Sequence, residues 1–417
     1  VTATAGPVRG PTRPQIVLLA ALSAFGPLSL DMYLPGLPSL TRDLHTTASA
    51  AQLTITACML GLGVGQLIAG PLSDSLGRRR PLLAGIAGYA ASSVACAVSP
   101  SVAVLIAVRL VQGMAGGAGI VIARAIVRDL SGGTVAARMF ALLTGITGVI
   151  PVCAPLIGGQ VLLVTSWRGV FVVLAAVGVP LVVATAVGLP ETLSPDRRHS
   201  GELRLVLGTF GRLLRDRSFA PYAAAFSLSF AAMFGYIAGS SFVLEDIHGI
   251  SPQLFSVVFA VNSAGLISMS LLSSRVVGRL GSARLLRRGL FGTAAASLAA
   301  LVVTATHAGL GFLLVCFFLL LASNGLVLPN GTAAAMTGQS ASLGAAAALL
   351  GLGQFGSGAV VAPLVGVGGS HDALPMAIVI AVAGVSALLI DLLFAPRRGA
   401  APPGPSVETP VPGPPVV

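Results

Sequence analysis

The chain has 417 residues, of which 55% are hydrophobic and only 9% charged, and its mean hydropathy is +0.94. Soluble domains carry about 25% charged residues, so a water-soluble fold is excluded. All 24 basic residues are arginine, which removes the chemistries that need a lysine amine: a Walker A phosphate loop, a Schiff base and a kinase site.

A bilayer core about 30 Å thick takes about 20 apolar residues per helix, so this length holds about twelve spans. The apolar runs are continuous rather than alternating, which excludes an outer-membrane barrel and leaves helices. After a short tail, 1–14, the predicted spans are 15–38, 49–72, 81–99, 101–122, 136–163 and 169–189. The first follows Arg9 and Arg13 as a secretory signal would, but it runs on through Asp31 with no small-residue cleavage site, so it is read as a span. A charged stretch, 191–219, precedes six more spans at 220–244, 252–274, 290–306, 309–330, 343–367 and 374–394, and a tail rich in Pro and Gly, 396–417, reads as disordered. The expected architecture is an all-α membrane protein of twelve transmembrane helices. Two six-helix bundles, 15–190 and 220–395, are joined by a linker at 191–219.

Alternating the spans places 21 arginines on the face that holds the N-terminus and only Arg42 and Arg168 on the other, with Arg109 inside a span. Short cytoplasmic loops are enriched in arginine, so both termini are expected in the cytoplasm of a bacterial cell, in the inner membrane. The net charge of +11 is then a topology signal rather than a nucleic-acid footprint. Trp167, the only tryptophan, is expected at the opposite interface. The four cysteines lie singly and the five histidines do not cluster. No metal, cofactor or catalytic group is expected, and the chain is not read as an enzyme.

Asp31 is read as the only carboxylate well inside the hydrocarbon, and Arg109 is the only base in a comparable position. An intramembrane charge is a functional candidate by default. Counted from the ends of antiparallel spans, both lie about 12 Å below the same boundary, so a direct or water-bridged contact is expected. A carboxylate whose surroundings alternate can load a proton on one side and release it on the other. Gln112 lies one turn from Arg109 on the same face.

Between the second and third spans stands GPLSDSLGRRRPLL, 70–83. Gly70 and Gly77 permit close approach and a tight turn, Asp74 can pair with an arginine or a helix end, and Arg78 to Arg80 anchor one membrane face. This spacing resembles the signature loop of the major facilitator superfamily. LSLDMYLPGLPSL, 28–40, resembles the first-span signature of its twelve-span drug/proton antiporters, notably the bicyclomycin and chloramphenicol resistance (Bcr/CflA) family. RLVQGMAGGAG, 109–119, is similar to the fourth-span arginine motif. VIPVCAPLIGGQ, 149–160, looks like the fifth-span antiporter motif, in which Pro155, Gly158 and Gly159 bend and pack the helix; Ala154 stands where that motif commonly has Gly. The parallel halves of the superfamily predict an echo of the signature loop, and SSRVVGRLGSARLLRRG, 273–289, supplies it with Gly278 in the place of Asp74.

The resemblance implies a proton-coupled transporter that exports antibiotics or other lipophilic toxic compounds, chloramphenicol or bicyclomycin among them, by alternating access. It would work as a monomer in the lipid bilayer. Asp31 would carry the proton with Arg109 and Gln112 in support, and Asp74 and Arg78 would lock a gate against helix ends near Arg124 or Arg128. Tyr33, Met59, Phe230, Phe234, Asn262, Asn324 and Gln354 are the candidate lining of an apolar cavity suited to neutral compounds. The alternatives are proton symport of a nutrient, or an intramembrane transferase, for which no cluster of polar catalytic residues is visible.

Overall fold

The computed structural model describes residues 12–131, 133–198, 203–339, 343–369 and 372–396. The C-terminal tail read as disordered lies outside these residues, apart from Pro396, as does most of the N-terminal tail. Among the described residues the chain is helical and contains no strand.

The first span is not one helix. It comprises α1 (Arg13–Ser23), α2 (Phe25–Asp31), a 3-10 turn (Leu34–Gly36) and α3 (Leu37–Asp43). Proline explains the breaks: Pro27 has no N–H for the Ser23 carbonyl, Pro35 none for Asp31 and Pro38 none for Leu34. The ladder therefore fails one residue past Asp31, in the middle of the membrane. Next come α4 (Ala48–Leu76), α5 (Arg79–Ala97), α6 (Val102–Leu130), α7 (Gly133–Val164) and α8 (Trp167–Gly188). The linker carries a further helix, α9 (Leu203–Arg215), on which Phe210 and Leu213 are buried while Arg212, Leu214 and Arg215 are exposed. Six more helices follow: α10 (Ala220–Ser241), extended by a π-turn to Ile247, α11 (Pro252–Leu280), α12 (Ser282–Ala305), α13 (Leu310–Met336), α14 (Leu343–Val365) and α15 (Leu374–Phe394).

Among the described residues, eleven helices are long and apolar enough to cross a membrane. The α5 helix falls short in hydropathy because it opens on Arg79 and Arg80, yet it crosses the same layer. Arg79 donates to the Ala186 carbonyl at one face, and Ser99, just beyond its other end, accepts from Arg168 beside Asp43 at the opposite face.

Helices without a hydrophobic drive between them associate through small residues that let backbones meet. The α4–α6 crossing is built this way. A methyl group on Gly61 would strike the Leu110 carbonyl oxygen, one on Gly65 the Met114 backbone, one on Gly113 the Cys58 oxygen and one on Gly117 the Leu62 oxygen. The second half repeats the device with Gly325 against the Leu266 oxygen. The α4 and α11 helices match closely: each has 29 residues, each is capped by a hydroxyl (Thr47, Ser251), and each ends on a glycine of positive φ. Gly77 has φ +91° and Gly281 φ +79°.

The two halves meet at the arginine-poor face. There Arg42 pairs with Asp246 at 2.9 Å, and Ser49 and Thr56 donate to the carbonyls of Pro363 and Ala359. Gln52 donates to Ala238 and Gln253 to Gly159. Trp167 opens α8 at this end of the first half but is buried, 1% exposed, and its indole N–H donates to Asp43.

Candidate functional site

A cavity of about 690 Å³ lies between the halves on the side away from that seal. Its lining runs from Asp31 and Phe259 down to Arg124, Thr332, Met336 and Ala347, near the helix ends on the arginine-rich face. The walls are mainly apolar, with Phe226, Phe230, Met233, Phe234, Phe259 and Phe355 supplied by α10, α11 and α14 of the second half.

Asp31 lies on this wall, is 7% exposed, and has no hydrogen-bond or ion-pair partner among the described residues. As the last residue of α2, its own carbonyl has lost the donor that Pro35 would otherwise supply. Helix end and carboxylate thus both lack a partner, at the point where the helical ladder is interrupted.

Arg109 is fully buried, but no ion pair joins it to Asp31. It donates to the Gln112 side chain at 2.7 Å and to the Ser29 carbonyl at 2.9 Å. Its guanidinium carbon lies 5.0 Å from the Tyr33 ring centroid and 5.5 Å from that of Phe171. Gln112 passes the network on to Ser93. The expected depth match holds, since Ser29 is two residues from Asp31, but the guanidinium grips the backbone of the carboxylate's helix from behind. The repeat places Phe317, packed on Tyr236, in the second half where Arg109 packs on Tyr33 in the first.

Of the seven residues expected to line the cavity, Phe230, Phe234 and Gln354 do. Tyr33 does not: it is fully buried against Arg109 and Phe171, and its hydroxyl bonds Thr54 at 2.6 Å. Met59 is buried in the seal, where it limits the space at Gly358. Asn262 donates to the Tyr236 hydroxyl. Asn324 accepts from Ser229 and donates to the Leu320 carbonyl, and thereby ties helices together. Nor is Asp31 the only buried carboxylate. Asp391, 1% exposed, pairs with Arg287 at 2.8 Å, and Glu245, half-buried beside the Arg42–Asp246 pair, has one buried oxygen without a partner. Sequence distance from a span centre concealed both, because these span ends are covered by neighbouring helices.

The signature loop forms a cluster, though not with the expected partners. Arg78 pairs with Asp74 and with Asp129, the latter at 2.9 Å, and also donates to Ser73. Arg124 and Arg128 take no part: Arg124 lines the cavity, and Arg128 is exposed. Glu191 completes the cluster by accepting from the backbone N–H groups of Arg78 and Arg79. Burial pushes the Glu191 carboxyl up, but the N–H groups of Leu193, Arg78, Arg79 and Thr192 outweigh it and hold the group below its ordinary value. Gly77 is obligatory, by its φ and because a Cβ would collide with the Glu191 carboxylate. Gly70 is not, since a Cβ there would meet only Val121 at 3.8 Å. Gly158 and Gly159 lie at close contacts: a methyl on Gly158 would strike the Met32 carbonyl oxygen, and one on Gly159 would crowd Ser256. Pro155 lies inside α7, together with Pro151. Asp129 and Glu191 were absent from the sequence reading, although the charged positions just beyond the fourth and sixth spans could have indicated them.

Comparison with known proteins adds the lineage. The family model described as Major Facilitator Superfamily matches residues 19–363. An uncharacterized MFS-type transporter of Bacillus subtilis is 40% identical over 90% of this chain and 93% of its own length. A bicyclomycin resistance protein homolog of Haemophilus influenzae is 28% identical over 87% and 91%. A chloramphenicol resistance protein of Pseudomonas aeruginosa is 29% identical over 66% and 65%. Among solved structures, a D-xylose-proton symporter superposes with TM-score 0.70 at 15% identity, covering 91% of this chain and 98% of its own. A peptide transporter of the POT type does so with TM-score 0.71 at 16%, covering 91% and 93%. These likenesses speak for the fold. The chain belongs to the Major Facilitator Superfamily, a family of multi-pass membrane transporters, and its named relatives are those of the bicyclomycin and chloramphenicol resistance (Bcr/CflA) family.

Proposed function

We propose that this transporter exports lipophilic antibiotics or similar toxic compounds from a bacterial cell in exchange for protons. The arginine-rich face would be cytoplasmic in the inner membrane, and bundles 15–190 and 220–395 would rock as units within a monomer. The observation that carries the reading is Asp31: a carboxylate without a partner, on the wall of an apolar cavity, at the point where its helix breaks. Protonated, it is a neutral wall residue. When ionised it needs water, and in the state described here that water can come only from the arginine-rich side, because the other face is sealed. In the opposite state the same carboxyl would meet the outer solution.

Arg109 and Gln112 hold the backbone of the Asp31 segment and set its geometry. The Asp74–Arg78–Asp129 cluster keeps the inner ends of α4, α5 and α6 together, so that the first bundle moves without shearing. The relatives named for bicyclomycin and chloramphenicol resistance support small drugs as substrates. The test is the susceptibility of a pump-deficient bacterium expressing the full chain or Asp31→Asn to chloramphenicol, bicyclomycin, a sulfonamide and lipophilic cations. Resistance conferred by the wild type and lost in the mutant is expected. Equal protection by both, at equal membrane expression, would defeat the reading.

A further inference from the structure

Two charged residues line the cavity, and they stand apart. Gly26 on α2 faces Ile120 on α6, and these helices run antiparallel. Asp31 lies five residues beyond Gly26 toward the sealed end, and Arg124 four residues beyond Ile120 toward the open end. At about 1.5 Å per residue the two are roughly 13 Å apart along the membrane normal. They do not neutralise each other, and Arg124 has no hydrogen-bond or ion-pair partner among the described residues. Asp129, the acid nearest to it on its own helix, is held by Arg78 at 2.9 Å. The neutral polar groups nearby are already engaged: Thr332 donates to the Leu328 carbonyl and Gln66 to that of Leu62. The cavity mouth therefore presents an uncompensated guanidinium beside aromatic and aliphatic walls.

Resting on the efflux reading above, we propose that the compounds this protein takes up into its cavity carry an anionic group, a carboxylate being the simplest, which Arg124 binds while the apolar body lies along Phe226, Phe230 and Phe355. A guanidinium offers a planar fork matched to a carboxylate. Arg124 is exposed to the solvent of the cavity mouth, so a carboxylate gains there a charge-assisted pair that a neutral or cationic compound cannot make. The arrangement also separates tasks, since the anion sits at the mouth while Asp31, at the other end, stays free for the proton. Anion leaving the cell and proton entering it carry current in the same direction, so the membrane potential favours the cycle.

The experiment uses purified full-length protein in phosphatidylcholine nanodiscs and two fluorescent probes of equal body, N-dansylglycine and N-dansylglycinamide, read by anisotropy. The wild type should prefer the carboxylate by about tenfold, the usual worth of one charge-assisted hydrogen bond. Arg124→Gln should erase that preference, Arg124→Lys should keep part of it, and Asp31→Asn should leave it intact. Equal binding of both probes by the wild type, tighter binding of the amide, no binding of either, or an unchanged preference in Arg124→Gln would each overturn the proposal. The wild-type comparison decides even if the glutamine variant does not fold. Loss of the preference when phosphatidylglycerol is added to the nanodisc would assign Arg124 to lipid headgroups instead and likewise overturn it. A carboxylate preference in a protein whose transport ignores the proton gradient would refute the efflux reading and leave the Arg124 site standing.

Discussion

Glu191 fastens the end of the sixth span to the signature loop by accepting backbone N–H groups from Arg78, Arg79 and Leu193. Its pKa is held below the ordinary carboxylate value, so the ionised form is favoured by folding. That contribution is complete above the unfolded value of about 4.3 and is lost as pH falls through the lower folded value. In detergent, thermal unfolding of the wild type should lose stability on acidification through this range, whereas Glu191→Gln should start lower at neutral pH and respond less. A variant as acid-sensitive as the wild type would contradict the assignment. At the same turn, Gly77→Ala forces φ +91° on a residue with a Cβ and drives that Cβ into Glu191. It should cost about 1–2 kcal/mol, measurable as a lowered Tm, while Gly70→Ala, with open space around it, should be near neutral. Asp31 and Arg109 were legible in the sequence because a charge in an apolar run has no ordinary reason to be there. Tyr33, Asn262 and Asn324 were misread as cavity residues because polarity marks a position as special without saying what it faces. Each satisfies a hydrogen bond inside its own half.

The helices that matter most are shaped by glycine and proline rather than by apolar periodicity, which is nearly uniform in a chain this hydrophobic. Glycines at helical spacing in GLGVG, 61–65, and GMAGG, 113–117, make the α4–α6 contact backbone to backbone. Gly113→Ala should cost about 2 kcal/mol because its methyl would meet the Cys58 carbonyl, a group that cannot yield without moving α4. The unfolding midpoint checks this, and Gly145→Ala, with nothing near it, is the control. Span number and order were readable from composition. The division of the first span was not, although Pro27, Pro35 and Pro38 stood in the sequence, because proline alone does not say whether a helix kinks or stops. The α9 helix was hidden by the charge of its segment, for an amphipathic helix on a membrane face has the composition of a loop.

In the whole molecule, the arginine-poor face is closed by contacts between halves and the arginine-rich face opens into the cavity. The Arg42–Asp246 pair is too exposed on the arginine side, at 69%, to be worth more than about 1 kcal/mol. The buried bond from Gln52 to the Ala238 carbonyl is the better lever. Its removal in Gln52→Ala should weaken the closed face by about 1 kcal/mol, shifting the ratio of states about fivefold. A single cysteine at Thr56, in a background without Cys58, Cys96, Cys153 and Cys316, should then react correspondingly faster with an impermeant maleimide; an unchanged rate would remove Gln52 from the seal. Which face is closed was not readable from the sequence, since both states of a rocking transporter are written in the same residues.

Coupling itself is decided by proton flux in proteoliposomes holding the full chain, with a pH dye inside and a sulfonamide, whose acidic N–H makes it an anion at neutral pH, as the first substrate, wild type beside Asp31→Asn. The wild type should move protons against substrate, and Asp31→Asn should abolish that flux yet still exchange labelled for unlabelled substrate. Proton movement in step with substrate in the Asn variant would contradict the role assigned to Asp31, and substrate and protons moving in the same direction in the wild type would contradict export by exchange.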